Sequence, residues 1–192
     1  MCLMRDKNVS LKVNILYAGF DVFSQNPGAS LAEVAAHAGV GRATLHRHFS
    51  GRADLVAEMA LVASQELNAA VKEATRDTET YTDGLRIAFR AMLPLAQRYM
   101  FLATEPVDQD PRVADAYAGD KAELRDDIEQ AKAEGTFDPA IPTIWIAQAY
   151  ENLLFAGWAM VAAQEATPNQ AADLAWRTLT QGLKPQGKTQ DA

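Results

Sequence analysis

The segment that decides the fold is GVGRATLHRHF, residues 39–49. It carries two arginines, two histidines and no acidic residue, although the whole chain of 192 residues has a formal net charge of −7. Leu45 and Phe49 are four positions apart, which places both on one face of a helix. The segment is therefore predicted to form a short helix with an apolar inner face and a basic outer face.

A second short helix is predicted immediately before this segment. Asn26-Pro27-Gly28 is a strong turn signal. Ser30 and Glu33 have the spacing of a capping box, which starts a helix. Gly39 can adopt the positive φ of the tight turn that follows. Two short helices joined by such a turn are typical of a helix-turn-helix, whose second helix enters the major groove of DNA.

If Leu45 and Phe49 point inward, Ala43, Thr44 and Arg47 face outward and Arg42 and His46 lie on the flanks, an arrangement that suits contacts with DNA. The guanidinium of Arg42 can bind guanine O6 and N7 in a bidentate pair. Ala43 and the methyl group of Thr44 can contact a thymine methyl. The remaining cationic and polar side chains can bind phosphates. The candidate DNA-contacting residues are Ser30, Arg42, Ala43, Thr44, His46, Arg47, His48 and Arg52.

The stretch from Ile15 to Leu55 resembles the N-terminal domain of the TetR family of transcriptional regulators. The matching residues are Ile15-Leu16, Phe23, Leu31, Val34-Ala35, Ala38-Gly39-Val40, Thr44-Leu45, His48-Phe49 and Leu55. The resemblance implies a homodimeric repressor that a small molecule releases from a pseudo-palindromic DNA operator.

Carried over by position, the resemblance places residues 42–44 at bases. It places His46, His48 and Arg52 at phosphates. The chain departs from the family pattern at two of these positions, because relatives usually have Tyr in place of His46 and Lys in place of Arg52. A third departure is Gly41, where relatives often have Ser as the cap of the second helix.

The rest of the chain also has helical patterns, so the fold class is predicted to be all-α. The later helices are expected at about 82–100, 110–134, 141–164 and 168–183. Pro94 lies inside the first of these and is predicted to kink or break it. The predicted organisation is a three-helix DNA-binding domain (1–55), a helical effector-binding and dimerisation domain (56–184) and a disordered tail (185–192).

The distribution of charge agrees with this organisation. Residues 1–55 have six basic and four acidic residues, a net charge of +2, whereas the remainder has 12 basic and 21 acidic residues, a net charge of −9. The first segment can approach phosphate, and the second is repelled by it. No membrane-spanning run, signal peptide or cysteine cluster is present, so a cytoplasmic location with no metal or cofactor is expected.

The C-terminal helices carry the predicted dimer interface and effector site. The helices near 141–164 and 168–183 contain small residues that allow close packing across a two-fold axis. The candidate effector pocket consists of Phe89, Met92, Leu93, Met100, Phe101, Trp145 and Phe155. These side chains suit an apolar or aromatic effector, but they can equally fill the core. Arg86, Arg90 and Arg98 can hold an anion or pair with nearby acids.

An enzyme is not expected, because the sequence has no phosphate-binding loop, nucleophile elbow or His-Glu-x-x-His motif. The main alternative is a helix-turn-helix regulator with no small-molecule effector. That alternative predicts a filled C-terminal core without a ligand-sized cavity.

Overall fold

Eight α-helices make up the part of the chain that the structure describes, and no strand occurs in it. The computed structural model describes residues 11–95, 102 and 104–182. The helices are α1 (Leu11–Gln25), α2 (Leu31–His37), α3 (Arg42–His48), α4 (Arg52–Ala74), α5 (Tyr81–Met92), α6 (Pro111–Ala133), α7 (Thr143–Ala162) and α8 (Pro168–Gln181). The all-α prediction is confirmed. The predicted tail, 185–192, lies outside the described residues.

Local sequence signals account for the ends of several helices. Pro94 ends α5, which stops at Met92 and continues only as a 3₁₀ turn over Leu93–Leu95. Thr80 caps the start of α5 by accepting a hydrogen bond from the backbone N–H of Asp83 at 3.1 Å. The α8 helix begins at Pro168 with a complete capping box between Thr167 and Gln170.

The chain divides into two compact units. Unit 1 consists of Met1–Ala69 and Gln97–Asp120, and unit 2 consists of Ala70–Ala96 and Lys121–Ala192. The α4 and α6 helices therefore each contribute residues to both units.

The core of unit 1 forms where α1, α2, α3 and α4 present their apolar faces. Its most deeply buried side chains are Ile15, Phe20, Phe23, Val34, Leu45, Phe49, Leu55 and Met59. The α1 helix approaches α4 closely at Gly19, where an added Cβ would lie 2.9 Å from the Met59 Sδ. This packing gives the three N-terminal helices a rigid support on the first half of α4.

The core of unit 2 is built around an aromatic pair. The rings of Phe89 and Tyr150 stack with their centroids 4.1 Å apart. The Tyr150 hydroxyl donates a hydrogen bond to the backbone carbonyl of Leu85 at 2.9 Å. Burial raises the pKa of this phenol, so it remains neutral and acts as a donor. The indole N–H of Trp158 similarly donates to the carbonyl of Met92 at 3.1 Å.

Within the described residues, no helix is long and apolar enough to cross a membrane. The most apolar of the long helices is α7, whose residues instead divide between the core of unit 2 and its surface.

The buried hydroxyl of Tyr150 gives a test of the unit 2 core. We expect Tyr150→Phe to lower the free energy of unfolding by about 1 kcal/mol, because it removes one buried hydrogen bond at nearly constant volume. Urea denaturation followed by circular dichroism measures the change. Tyr81→Phe, at an exposed tyrosine, is the matched control and should change stability little. Equal stabilities of the wild type and Tyr150→Phe would contradict this account.

Candidate nucleic-acid interface

The start of α2 is fixed by the predicted capping box. The Ser30 hydroxyl accepts a hydrogen bond from the backbone N–H of Glu33 at 3.3 Å, and the backbone N–H of Ser30 donates to the Glu33 carboxylate at 2.7 Å. The backbone N–H and the hydroxyl of Ser30 both donate to the Glu33 carboxylate, and these two bonds hold the pKa of Glu33 below its usual value. The capping box is confirmed, and it occupies the only carboxylate of α2.

The turn between α2 and α3 has the geometry that the sequence predicts. Gly39 has a φ of +69°, in the region that favours glycine. The backbone N–H of Val40 donates to the carbonyl of Ala35 at 2.9 Å. From α1, the Asn14 amide donates to the carbonyl of Ala38 at 3.0 Å. The turn is therefore held from within α2 and from a neighbouring helix.

The burial of α3 separates its two faces. Leu45 and the following Phe49 are each only 1 % exposed, so the inner face of the helix belongs to the core. Both residues lie on the side that the four-residue spacing predicts. Ala43 and Arg47 are exposed on the opposite side, Arg42 and His46 are exposed on the flanks, and Thr44 and His48 are half-buried.

The exposed arginines of α3 have no carboxylate partner in the described part of the chain. The arginines that form ion pairs there are Arg52, Arg76, Arg86, Arg90 and Arg112. Arg42 and Arg47 are not among them, and α3 itself contains no acidic residue. Their positive charge is therefore available to an external anion.

A surface groove of about 250 Å³ joins the start of α2 to the outer face of α3. It is lined by Ser30, Leu31, Ala32, Arg42, Leu45 and His46. Three of the predicted DNA-contacting residues, Ser30, Arg42 and His46, therefore meet at one place although they are up to 16 positions apart in sequence. The groove presents a guanidinium and an imidazole beside a hydroxyl that is already used for capping.

Arg52, predicted to contact phosphate, has several partners within the protein. Its guanidinium donates hydrogen bonds to the carbonyls of Pro27 at 2.7 Å and Ala29 at 3.0 Å. It also forms an ion pair with Glu105 at 2.6 Å and lies 4.2 Å from the ring centroid of Phe23. These protein groups compete with phosphate for its donors. The sequence suggested no such partners, because Glu105 lies 53 positions away.

The predicted effector residues do not share one environment. Phe89 and Leu93 are fully buried, and Met92 is half-buried. Trp145 is 71 % exposed and Phe155 is 42 % exposed, so these two rings lie on the surface of unit 2. Met100 and Phe101 lie outside the described residues.

Of the three arginines considered as anion ligands, Arg86 and Arg90 are paired with acids, and Arg98 lies outside the described residues. Arg86 pairs with Asp83 at 2.6 Å, and Arg90 pairs with Asp173 at 2.8 Å. A groove of about 420 Å³ also lies in unit 2, lined by Met160, Glu165, Ala166, Gln170, Asp173, Leu174 and Arg177. None of the predicted effector residues lines this groove.

Comparison with known proteins identifies the family. Residues 15–59 match the family of bacterial regulatory proteins designated tetR. Over 172 residues the chain is 31 % identical to the HTH-type transcriptional repressor LfrR of Mycolicibacterium smegmatis, and the alignment covers 88 % of each chain. The chain belongs to the TetR family. It is therefore a TetR-family transcriptional regulator, and the resemblance seen in the sequence is confirmed.

Solved structures of the TetR family have the same fold. The structure of the TetR-like regulator LfrR from Mycobacterium smegmatis in complex with proflavine has a TM-score of 0.77 and 26 % sequence identity, and the match covers 92 % of this chain and 97 % of that one. The fatty acid degradation regulator FadR from Bacillus halodurans has a TM-score of 0.78 at 15 % identity, with coverage of 94 % and 100 %. Because the identity to this FadR is only 15 %, the match shows a shared fold alone.

The family match covers the two helices of the candidate interface. The residues that match the family model include all of α2 and α3. TetR regulators bind DNA and small ligands and are dimeric. The exposed basic face of α3 is thus the face of a helix-turn-helix within a DNA-binding regulator.

Proposed function

We propose that this TetR-family regulator binds a pseudo-palindromic operator as a homodimer, represses transcription in the cytoplasm, and is released by a small-molecule effector. In this proposal residues 1–55 bind DNA, and residues 56–184 bind the effector and form the dimer. The observation that carries the proposal is the outer face of α3, where Arg42 and Arg47 are exposed and unpaired within the described residues.

The proposed division of labour on DNA follows from position along α3. The N-terminal residues of a recognition helix contact base edges. Arg42 lies there with Ala43 and Thr44, so we assign it a bidentate contact with guanine. We assign phosphate contacts to the residues of the last turn, which are His46, Arg47 and His48.

Substitution of the two arginines separates these roles. On an operator recovered by selection from random DNA, we expect Arg42→Ala to lower the preference for operator over random DNA by about tenfold or more, because a bidentate pair contributes roughly 1–3 kcal/mol of discrimination. Arg47→Ala should weaken binding to both DNAs and reduce the salt slope by about one. Fluorescence anisotropy across a salt series measures both effects.

The control for this comparison is Arg125→Ala, which removes an exposed arginine from α6. It should leave operator binding nearly unchanged. If Arg42→Ala and Arg47→Ala reduced operator and random-DNA binding by the same factor, the assignment of separate roles would be wrong.

We assign the dimer interface to α7 and α8. On α7, exposed residues recur at helical spacing along one face: Trp145, Gln148, Asn152, Phe155, Ala156 and Ala159. Leu174 of α8 is also an exposed large apolar residue. Burial of this apolar surface against a second copy would remove it from water. The proposed interface therefore includes the predicted segments 141–164 and 168–183.

A charge placed on this face tests the interface. We expect Phe155→Glu to shift the protein from dimer to monomer and to weaken operator binding, because a dimer would bury two unpaired carboxylates. Light scattering coupled to size-exclusion chromatography measures the mass. Ala74→Glu adds the same charge at the exposed end of α4 and should leave the mass unchanged. A dimer of Phe155→Glu as stable as the wild type would contradict the assignment.

We propose that the effector is an aromatic cation bound in the C-terminal helices. Two observations support this class. LfrR, at 31 % identity, has been crystallised with proflavine, which is a planar cationic dye. The chain after residue 55 has a net charge of −9, which attracts cations.

Asp127 is the acid that we assign as the counter-ion. It is half-buried on α6, and its burial and the neighbouring carboxylates of Glu123 and Asp126 raise its pKa. After burial, its negative charge is the second cause of the raised pKa of Tyr150, whose ring stacks on Phe89. A cation beside Asp127 would relieve the repulsion from the other two carboxylates.

Proflavine itself is the probe for this assignment. We expect the wild type to bind proflavine in the absence of DNA, into which the dye intercalates, and we expect Asp127→Asn to weaken binding by about fivefold or more because a partly buried charge pair is lost. Fluorescence titration measures the affinity. Asp126→Asn removes the same charge from an exposed neighbour and should have a smaller effect. If the wild type, Asp127→Asn and Asp126→Asn bound proflavine with equal affinity, the assignment of Asp127 as the counter-ion would be wrong.

A further inference from the structure

Arg52 makes an unusual set of contacts for a residue in the first turn of α4. Its guanidinium reaches back to the turn between α1 and α2, where it donates to the carbonyls of Pro27 and Ala29. The same group lies 4.2 Å from the ring centroid of Phe23, which is fully buried at the end of α1. Arg52 therefore ties α4 to the residues immediately before the Ser30 cap of α2.

Glu105 completes this arrangement from a distant part of the chain. Its carboxylate binds the Arg52 Nη2 at 2.6 Å, and both residues belong to unit 1. The pair is only partly exposed, with 34 % of the Arg52 side chain and 19 % of the Glu105 side chain accessible. Solvent screens such a pair less than one on an open surface.

The segment that carries Glu105 is itself fixed. Val107 is buried, and its backbone N–H donates to the Glu105 carbonyl at 2.8 Å. Further along, Arg112 forms ion pairs with Asp110 at 2.9 Å and with Glu58 of α4 at 2.6 Å. Glu105 is therefore presented to Arg52 by a turn that α4 also holds through a second ion pair.

We infer that Arg52 is a positioning residue for DNA binding. Glu105 holds the Arg52 guanidinium in place, and the guanidinium fixes the turn at the start of α2. That turn lies beside the residues of α3 that we assign to base contacts. The structural connection between Arg52 and the groove that contains Arg42 is short. Arg52 binds the carbonyl of Ala29, and the next residue is Ser30. Ser30 lines the groove that also contains Arg42. This inference rests on the proposed DNA binding.

A positioning role and a phosphate contact of Arg52 predict opposite changes in operator affinity when Glu105 is neutralised. If Arg52 bound phosphate, Glu105 would compete with DNA, and its neutralisation would strengthen binding. If Arg52 positions the turn, neutralisation of Glu105 loosens the guanidinium and weakens operator binding. We expect Glu105→Gln to lower operator affinity about two- to fivefold, in the range of partly exposed ion pairs. The affinity for random DNA should stay equal or rise.

The matched control is Asp108→Asn, which removes one negative charge from an exposed residue of the neighbouring turn. It should not lower operator affinity.

Arg52→Gln should lower operator affinity by about tenfold, because its charge-assisted hydrogen bonds are lost. Its salt slope should remain that of the wild type, whereas loss of a phosphate contact reduces the slope by about one. Addition of Glu105→Gln to Arg52→Gln should cause no further loss.

These measurements use the full chain, at a temperature where circular dichroism shows each variant to be folded. Stronger operator binding by Glu105→Gln, or a reduced salt slope for Arg52→Gln, would overturn the positioning role. An unchanged operator affinity for Glu105→Gln would also overturn it. If the wild type showed no preference for operator over random DNA, the proposed function would fail, and the inference would fail with it.

Discussion

A helix of seven residues is too short to persist alone in water, so α3 depends on the burial of Leu45 and Phe49. These two side chains fix which face of the helix points outward. Once they enter the core, Ala43 and Arg47 must face solvent, and Arg42, the first residue of the helix, is exposed at the flank of the buried face. The turn at Gly39 and the cap at Ser30 then fix the direction of α2 relative to α3. The basic surface is a consequence of this apolar packing.

The cationic side chains of unit 1 fall into two groups, those in ion pairs and those without a carboxylate partner in the described residues. Lys12 pairs with Glu58, Arg112 pairs with Glu58 and Asp110, and Arg52 pairs with Glu105. The pairs with Glu58 and Glu105 join segments that are far apart in sequence, and each of these cations is thereby engaged within the protein. The arginines of α3 have no such partner in the described ranges. The structure thus distinguishes cations that support the DNA-binding helices from those available to DNA.

Local signals predicted most of the fold, because capping residues, glycine turns and helical spacing act within a few positions. Ser30 with Glu33, Gly39 and Pro94 each marked a boundary that the structure contains. The contact of Arg52 with Glu105 could not be predicted in this way, because no local rule joins an arginine to a carboxylate 53 positions away. Aromatic character was also insufficient to separate buried Phe89 from exposed Trp145, because that difference depends on which helices pack together.

The central claim is that the outer face of α3 lies in the major groove of each operator half-site. The direct measurement attaches an iron–EDTA group to Ala43→Cys, in a Cys2→Ser background, and maps hydroxyl-radical cleavage of bound operator DNA. The account predicts two symmetric groups of cuts, centred about 10 base pairs apart or at a multiple of one helical turn. The same reagent at Ala122→Cys, on α6, should give only background cleavage. Cleavage from position 43 no stronger than that from position 122 would contradict the account.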